Sequence, residues 1–547
     1  MRSSLSRTAR QLSRNVNRIS VQRSSVAGAS ARWSSTETEG GLVGGGDAHR
    51  WSTPLAKQLA EVIATTGPTT VASFMRQCLT SDLGGYYTST SPSDGDQFGA
   101  KGDFVTSPEI SQIFGELIGV WVVAEWIAQG KKSDGVYLME IGPGRGTLMD
   151  DMLRTVRNFP PLAKAIEAVY MVEASPRLRE AQHKLLCGDN PLDETKMGWQ
   201  SISKHSKELK IVWTEDIRFV PKEASKSPFI IAHEFFDALP IHVFQSVPPA
   251  PLSQESNDTI QTPTGPIKPQ RRLPQASQQN QWRELLVSPK PPHRLKEGEP
   301  EFELSKARAA TPHSMYLPET SPRYTALKDT TDATIEISPE SQAYAKDFAE
   351  RIGGSNPPAP AKTPKTTPTS GRNVPSESAA EPFDKSEPSG AVLIIDYGPA
   401  DHIPANSLRG IKSHEMVSPF DSPGSTDVSV DVDFLALAES AINASPGVEA
   451  HGPVDQARFL TAMGIQERAA QLVKQAVDKE RGGSTGSDKT ELTEIVKRIE
   501  TGWKRLVDRS PQGMGKLYQV LAIVPYKPGN AGEPRRRPVG FGGDIQF

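Results

Sequence analysis

The stretch "MEIGPGRGTLMDDML", residues 139–153, decides the fold. It reads as the end of a strand, a glycine turn and the opening of a helix. Gly142, Gly144 and Gly146 permit tight turning and close approach of a ligand to the backbone. Thr147 is placed to cap a helix whose apolar face is Leu148, Met152, Leu153 and Val156. Apolar strands are predicted at 136–142, 168–175, 209–217, 228–235 and 390–398, with helices at 148–156 and about 176–186. Short, continuously apolar strands that alternate with helices predict an α/β fold with a mostly parallel sheet covered on both faces. Ligands of such sheets bind beyond the carboxyl ends of the strands. Glu140, Glu173, Asp216, Glu234 and Asp396 all stand at such ends.

Outward from this core the sequence changes character. Ser52-Thr53-Pro54 opens a helix that Gly67 stops, and a second helix runs over about 69–79. In "GDFVTSPEISQIFGELIGVWVVAEWI", residues 102–127, Thr106 or Ser107 caps and Glu109 completes a capping box. Ile113, Leu117, Val120 and Ala124 then continue one helix face, and Gly102-Asp103-Phe104 is placed to fold over a ligand. The first 36 residues hold seven Arg, ten Ser and no acid. On a helical wheel Leu5, Leu12, Val16 and Ile19 oppose Arg7, Arg10, Arg14 and Arg18, the pattern of a mitochondrial transit peptide.

The apolar fraction of 36%, with 46 Pro and 44 Gly, is low for one globule and predicts disordered segments. Residues 247–281 and 354–389 have that Pro/Ser/Thr-rich composition and are expected to be dispensable for ligand binding. Between them "QWRELLVS" and "PEFELS" read as strands, and "SPESQAYAKDFAERIGG" as a capped helix. The expected organisation is a leader at 1–48, a helical region at 49–132 and a core at 133–246. An insertion, largely disordered with a short strand and helix segment, follows at 247–389, then the second part of the core with C-terminal helices at 390–527 and a disordered tail at 528–547. A net charge of −3 gives no sign of nucleic acid binding, and no apolar run approaches 18 residues. Cys78 and Cys187 supply neither a disulfide framework nor a metal signature.

The ligand on the glycine turn follows from charge. The spacing is G-x-G-x-G, and a pyrophosphate there would meet Glu140, Asp150 and Asp151. S-adenosylmethionine carries a sulfonium and an ammonium instead, and Glu140 suits those cations. Asp150 and Asp151 are weaker evidence, because acids ordinarily complement a helix N-terminus. Glu173, 29 residues past Gly144, is placed to accept hydrogen bonds from ribose hydroxyls. Asp216 is placed for the adenine amino group, or is simply a solvated strand end. In "HEFFDALP", residues 233–240, Glu234 and Asp237 can bind a guanidinium through paired charge-assisted bonds, with His233 as a proton acceptor. Asp427, Asp431 and Asp433 alternate with valines and would share one face of a strand. No His or Cys joins them, so no metal is assigned, and Asp433 is expected to cap a helix. His414 reads as structural.

The blocks "GDFVTSPEISQIFGELIGVW", "LMEIGPGRGTLMDDMLR", "HEFFDALPIHVFQ", "DVSVDVDF" and "MGKLYQVLAIVP" resemble the MidA family of mitochondrial methyltransferases. The match runs in blocks from about 51 to 525, and the insertions and the tail depart from it. The resemblance implies a class I, Rossmann-like S-adenosylmethionine-dependent methyltransferase with an added helical region. It implies symmetric dimethylation of an arginine on a complex I subunit in the mitochondrial matrix, in support of complex I assembly. It maps the donor glycines onto Gly142, Gly144 and Gly146, and the acceptor block onto His233, Glu234 and Asp237. Two other readings stay open at this point, an oxidoreductase holding NAD on the same turn and a non-catalytic assembly scaffold.

Overall fold

Thr53 caps the first helix, α1 (Pro54–Thr66), its hydroxyl accepting from the Ala56 N–H, and Gly67 ends it with φ 91°. The computed structural model describes residues 51–88, 105–249, 260–262, 265–267, 279–296, 298–355, 383–482, 489–511, 513–528 and 535–543. The basic leader, Gly102–Phe104 and most of both Pro/Ser/Thr-rich stretches lie outside the described residues. After α2 (Val71–Thr80), the Thr106 box forms as expected, with the Glu109 carboxylate accepting from the Thr106 N–H at 3.3 Å. The continuous helix expected there breaks, however. The turn Ser107–Ile110 ends at extended Ser111, whose hydroxyl restarts the chain as α3 (Gln112–Ala128). A serine side chain competes with the backbone for helical hydrogen bonds, and here it wins.

The core then alternates: β1 (Val136–Ile141), α4 (Thr147–Val156), β2 (Ile166–Val172), α5 (Pro176–Cys187), β3 (Asp193–Thr195), β4 (Gly198–Ile202), β5 (Lys210–Thr214) and β6 (Ser227–His233). It continues with β7 (His242–Val247), β8 (Gln281–Pro289), β9 (Phe302–Lys306), β10 (Thr334–Ile337), α6 (Pro339–Gly353) and β11 (Ala391–Tyr397). It closes with α7 (Phe434–Ala444), β12 (Val448–Asp455), α8 (Ile465–Gly482), α9 (Lys489–Val507) and β13 (Tyr518–Pro525).

The main sheet has the order β12-β13-β11-β6-β1-β2-β5-β4-β3. Its parallel centre, β11-β6-β1-β2-β5, consists of the five strands predicted from sequence. Both edges are antiparallel. Val136 and Leu138 pack with α3 and α4 on one face, whereas Tyr137, Met139 and Ile141 pack with α6 and α7 on the other. Burial on both faces is why these strands show no polar alternation.

Three expectations are corrected here. Within 247–389 the folded segment is longer than expected: residues 279–296 and 298–355 are folded, and the stretches read as two strands and a capped helix form β8, β9 and α6. β8, β9 and β10 join β7 in a second, antiparallel sheet on which α1 and α2 pack. β8 is the strand expected at "QWRELLVS", and along it Trp282, Glu284 and Val287 are buried. The tail is also ordered over 535–543. Val539 and Phe541 are buried, Phe541 lies 5.7 Å from the Phe459 ring, and Arg536 pairs with Glu125, an acid of α3 with 0% exposure. A fully buried carboxylate needs a cation, and the basic tail provides it. Finally, Asp427, Asp431 and Asp433 do not form one strand face, since that strand stops at Ser429. Asp427 receives the Tyr87 hydroxyl at 3.1 Å, Asp431 pairs with Arg409 and Asp433 with Arg323. Asp433 does cap α7, accepting from the Ala436 N–H at 3.1 Å. His414 sits exposed at a hairpin tip with φ 64°.

Phe541→Ala is expected to lower the unfolding free energy by about 3 kcal/mol, the usual loss for a buried phenylalanine. Urea unfolding of the full chain measures it. A change below about 0.5 kcal/mol would mean that the tail contributes nothing by docking.

Candidate functional site

β1 lies between β2 and β6, where the sheet order reverses, so a crevice opens beyond its carboxyl end. The glycine turn fills that position. Gly142, Gly144 and Gly146 have φ of 62°, 52° and 82°, values that L side chains rarely adopt. A Cβ on Gly142 would lie 2.7 Å from Phe235 Cδ2. Gly146, not Thr147, is the N-cap of α4, because its left-handed backbone makes the turn directly and Thr147 becomes the first helical residue. The turn borders a cavity of about 350 Å³. Glu140, Glu173 and Glu215 line it from the β1, β2 and β5 ends, and Glu234, Asp237 and Tyr397 from the β6 and β11 ends.

Glu140 is buried, and its carboxylate accepts from the Met149 N–H at the start of α4. Its second oxygen, Oε2, has no partner among the described residues. Burial and the neighbouring Glu173 push this carboxyl up to about 8. Glu173, pushed up to about 7 by burial, accepts from the Ser175 N–H at 2.7 Å and from Gln182 Nε2 at 3.1 Å. Gln182 ties this acid to the turn, donating to the Gly144 carbonyl at 2.6 Å and accepting from Trp213 Nε1 at 2.9 Å. An orphaned buried carboxylate oxygen beside an open glycine turn fits a cationic ligand such as S-adenosylmethionine.

A cation seated beside Glu140 favours its ionised form and draws its pKa back down. At pH 7.5 a carboxyl of pKa about 8 is roughly three-quarters protonated, so donor binding is expected to release a fraction of a proton. Calorimetric titration in buffers of different ionisation enthalpy measures it, and Glu140→Gln should abolish this contribution. An unchanged proton release in that variant would assign the proton elsewhere.

Asp216 does not line the cavity. It caps the turn Ile217–Phe219 and grips Arg218 at 2.9 and 2.7 Å, and that guanidinium holds it below the usual carboxylate range. The preceding residue, Glu215, faces the cavity instead. The two acids of α4 also have partners elsewhere. Asp150 meets Lys204 and His205 at 2.7 and 2.8 Å, and Asp151 meets Arg154 at 2.6 Å.

The "HEFFDALP" residues surround the same cavity. Glu234 has φ 50°, a strained backbone for a residue with a side chain. Its N–H bonds to the Ile395 carbonyl at 3.0 Å, and its carboxylate accepts from the Tyr518 hydroxyl at 2.6 Å. Tyr518 is itself hydrogen-bonded to the Tyr397 hydroxyl, so two phenols back one carboxylate. Burial raises Glu234 to about 8, and the charge of Asp237 adds to the shift. Asp237 accepts from Ser429 Oγ at 2.9 Å, with Arg409 nearby. Asp396 is fully buried and receives the N–H groups of Phe235 and Phe236 at 3.0 and 2.8 Å, which fixes the loop after β6. Burial pushes both aspartates upward. His233 departs from its expected role. Burial lowers its pKa to about 3, so a buried neutral ring lies 5.0 Å from Phe114 and stacks at 6.3 Å on Tyr518. Such a ring is a poor proton acceptor near neutral pH, and it packs beside Glu234, 3.5 Å from its carboxylate.

Tyr397, Tyr518, Tyr87 and Glu215 are not singled out from sequence, and Asp427 is singled out there only as part of an acidic alternation. Tyr397 stands directly opposite Tyr518 in the antiparallel register of β11 with β13, a pairing that only the folded sheet reveals.

The doubly wound parallel sheet, the glycine turn and the acid-lined crevice define a class I S-adenosylmethionine-dependent methyltransferase. A family described as "S-adenosyl-L-methionine-dependent methyltransferase" matches residues 117–454, and the chain belongs to that family. It is similar to the protein arginine methyltransferase NDUFAF7, mitochondrial, of Rattus norvegicus, with 31% identity covering 87% of this chain and 85% of the relative. The NDUFAF7 homolog of Drosophila melanogaster is likewise 31% identical, over 86% and 85% of the two chains. A crystal structure from Burkholderia thailandensis bound to S-adenosyl-homocysteine shares the fold, with a TM-score of 0.56, 20% identity and coverage of 92% and 96%.

Proposed function

We propose that the chain is a protein arginine methyltransferase of mitochondria that symmetrically dimethylates an arginine of a complex I subunit in the matrix. The observation that carries this reading is Glu234. It is a carboxylate on a strained backbone, backed by two phenols, in the same cavity as the glycine turn. Asp237 and Asp427 line the same cavity, and a set of carboxyl groups suits a guanidinium better than an acidic acceptor. The names of the rat and fly relatives support arginine as the acceptor and mitochondria as the location.

Gly142, Gly144 and Gly146 would hold the donor through backbone contact, Glu140 its cationic end and Glu173 its ribose hydroxyls. When bound, S-adenosylmethionine supplies an electrophilic methyl group. The protein's contribution is positioning, because the acceptor nitrogen must lie on the line of displacement. Glu234 orients the guanidinium, with Asp237 as second partner, and together they share the charge that develops as the acceptor loses a proton.

The reading is tested by incubating the purified protein with labelled S-adenosylmethionine and a complex I subcomplex, then locating the label by peptide mass spectrometry. The expected product is an arginine with one methyl on each terminal nitrogen. Label on another residue type, or none on a complex that binds the enzyme, would overturn it.

A further inference from the structure

We propose that His242, Glu284 and His313 form a binding site for a zinc-class divalent cation on the second sheet, separate from the donor cavity. In the register of β7 with β8, Glu284 stands opposite Phe244. His242, two residues from Phe244, therefore shares the sheet face of Glu284. His313 reaches the same point from the short helix Pro312–Tyr316. One ligand atom from each of the three lies within 4.8 Å of the others. Glu284 Oε1 is 2.8 Å from His242 Nδ1 and 3.6 Å from His313 Nδ1. Tetrahedral zinc with metal–nitrogen bonds of about 2.0–2.1 Å separates its ligand atoms by roughly 3.3 Å, and these spacings bracket that value.

Two features distinguish this arrangement from a plain hydrogen-bonded cluster. Glu284 is already satisfied by His242 on one oxygen and by Thr311 Oγ1 at 2.5 Å on the other. His313 nevertheless brings a ring nitrogen to within 3.6 Å of the same oxygen, beyond hydrogen-bonding distance but suited to a shared cation. The imidazoles have centroids 4.2 Å apart at 43°, converging rather than stacked. Thr311 would act from behind the metal site by fixing the carboxylate, as outer partners of metal ligands do. Two imidazoles and one carboxylate select zinc over magnesium, which prefers oxygen ligands. His242 and Glu284 are buried and His313 is about half exposed, so the cation enters from the His313 side and leaves one coordination position for solvent. None of the three residues lines the donor cavity. The bound cation would tie the short helix to the second sheet.

The full chain, freed of metal by chelator and dialysed, is titrated with zinc alone against a chromophoric competitor, with magnesium as control. The expected result is roughly one equivalent of zinc bound and a thermal midpoint raised by zinc but not by magnesium. His313→Ala keeps the buried His242–Glu284 bond and should fold and bind donor normally. It should lose zinc affinity by more than the roughly 10–100-fold typical of an outer partner. A donor-competent wild-type protein that takes up no zinc at about 10 μM free metal would overturn the proposal. A His313→Ala variant that binds zinc like wild type would do the same. Neither result bears on the methyltransferase reading, because donor affinity is read separately.

Discussion

Glu234→Gln is expected to reduce methyl transfer by about 100-fold or more while donor affinity stays within about twofold. The estimate follows from removing one preorganised electrostatic partner of the reacting group, which typically costs 10²–10³ in rate. The amide keeps the shape and the Tyr518 contact but loses the charge that orients a guanidinium. A sign follows for pH. Glu234 must be ionised to hold the acceptor, and burial places its carboxyl at about 8, so kcat/KM should rise with pH through that region. The Tyr518 hydroxyl favours the carboxylate, so Tyr518→Phe should move that limb to higher pH. Labelled-methyl assays from pH 6 to 9, with donor calorimetry on each variant, measure all three effects. Wild-type transfer in Glu234→Gln would make the acids of "HEFFDALP" structural and move the acceptor site towards Asp427.

Glu173→Ala should weaken S-adenosylmethionine binding roughly ten- to hundredfold. Hydrogen bonds to a charged group contribute about 1.5–3 kcal/mol, which is that range of affinity. The substitution also strands the Ser175 N–H and removes one of the two bonds of Gln182 Nε2, whose other bond, to the Gly144 carbonyl, is the link to the glycine turn. Part of the loss therefore comes from a looser turn. Gln182→Leu separates the two contributions: it leaves Glu173 in place and releases the turn. If Glu173→Ala binds donor as wild type does, the ribose reading of this acid fails, and Glu215 becomes the acid to test.

The parts of the site that were legible in sequence are those set by local chemistry. The position of the glycine turn, Glu140 and Glu173 at the cavity is legible because strand, turn and helix are contiguous, and the acid at a parallel strand's carboxyl end points to the crevice. The position of Glu234 and Asp237 at the same cavity is legible for the same reason. Asp216 failed by one residue. Arg218, two residues along, captures it in a surface pair, and the preceding residue, Glu215, borders the cavity in its place. His233 was identified as a site residue but not its state, because the burial that lowers its pKa comes from Phe114 and Tyr518, distant in the chain.

By itself the sequence determined the class of the fold, the order of the five parallel strands along the chain and the ends of the first helix. Hydrophobic period, glycine and capping residues act over a few positions and meet the same water in any context. Only the tertiary structure decided the rest. It brought Tyr518 to Glu234 across 284 positions and Arg536 to Glu125 across 411, and it gathered His242, Glu284 and His313 from two strands and a short helix. It also turned part of a Pro-rich insertion into a second sheet. Each of these contacts exists because a buried polar or charged group must find a partner once water is excluded, and that partner is fixed by packing rather than by distance along the chain.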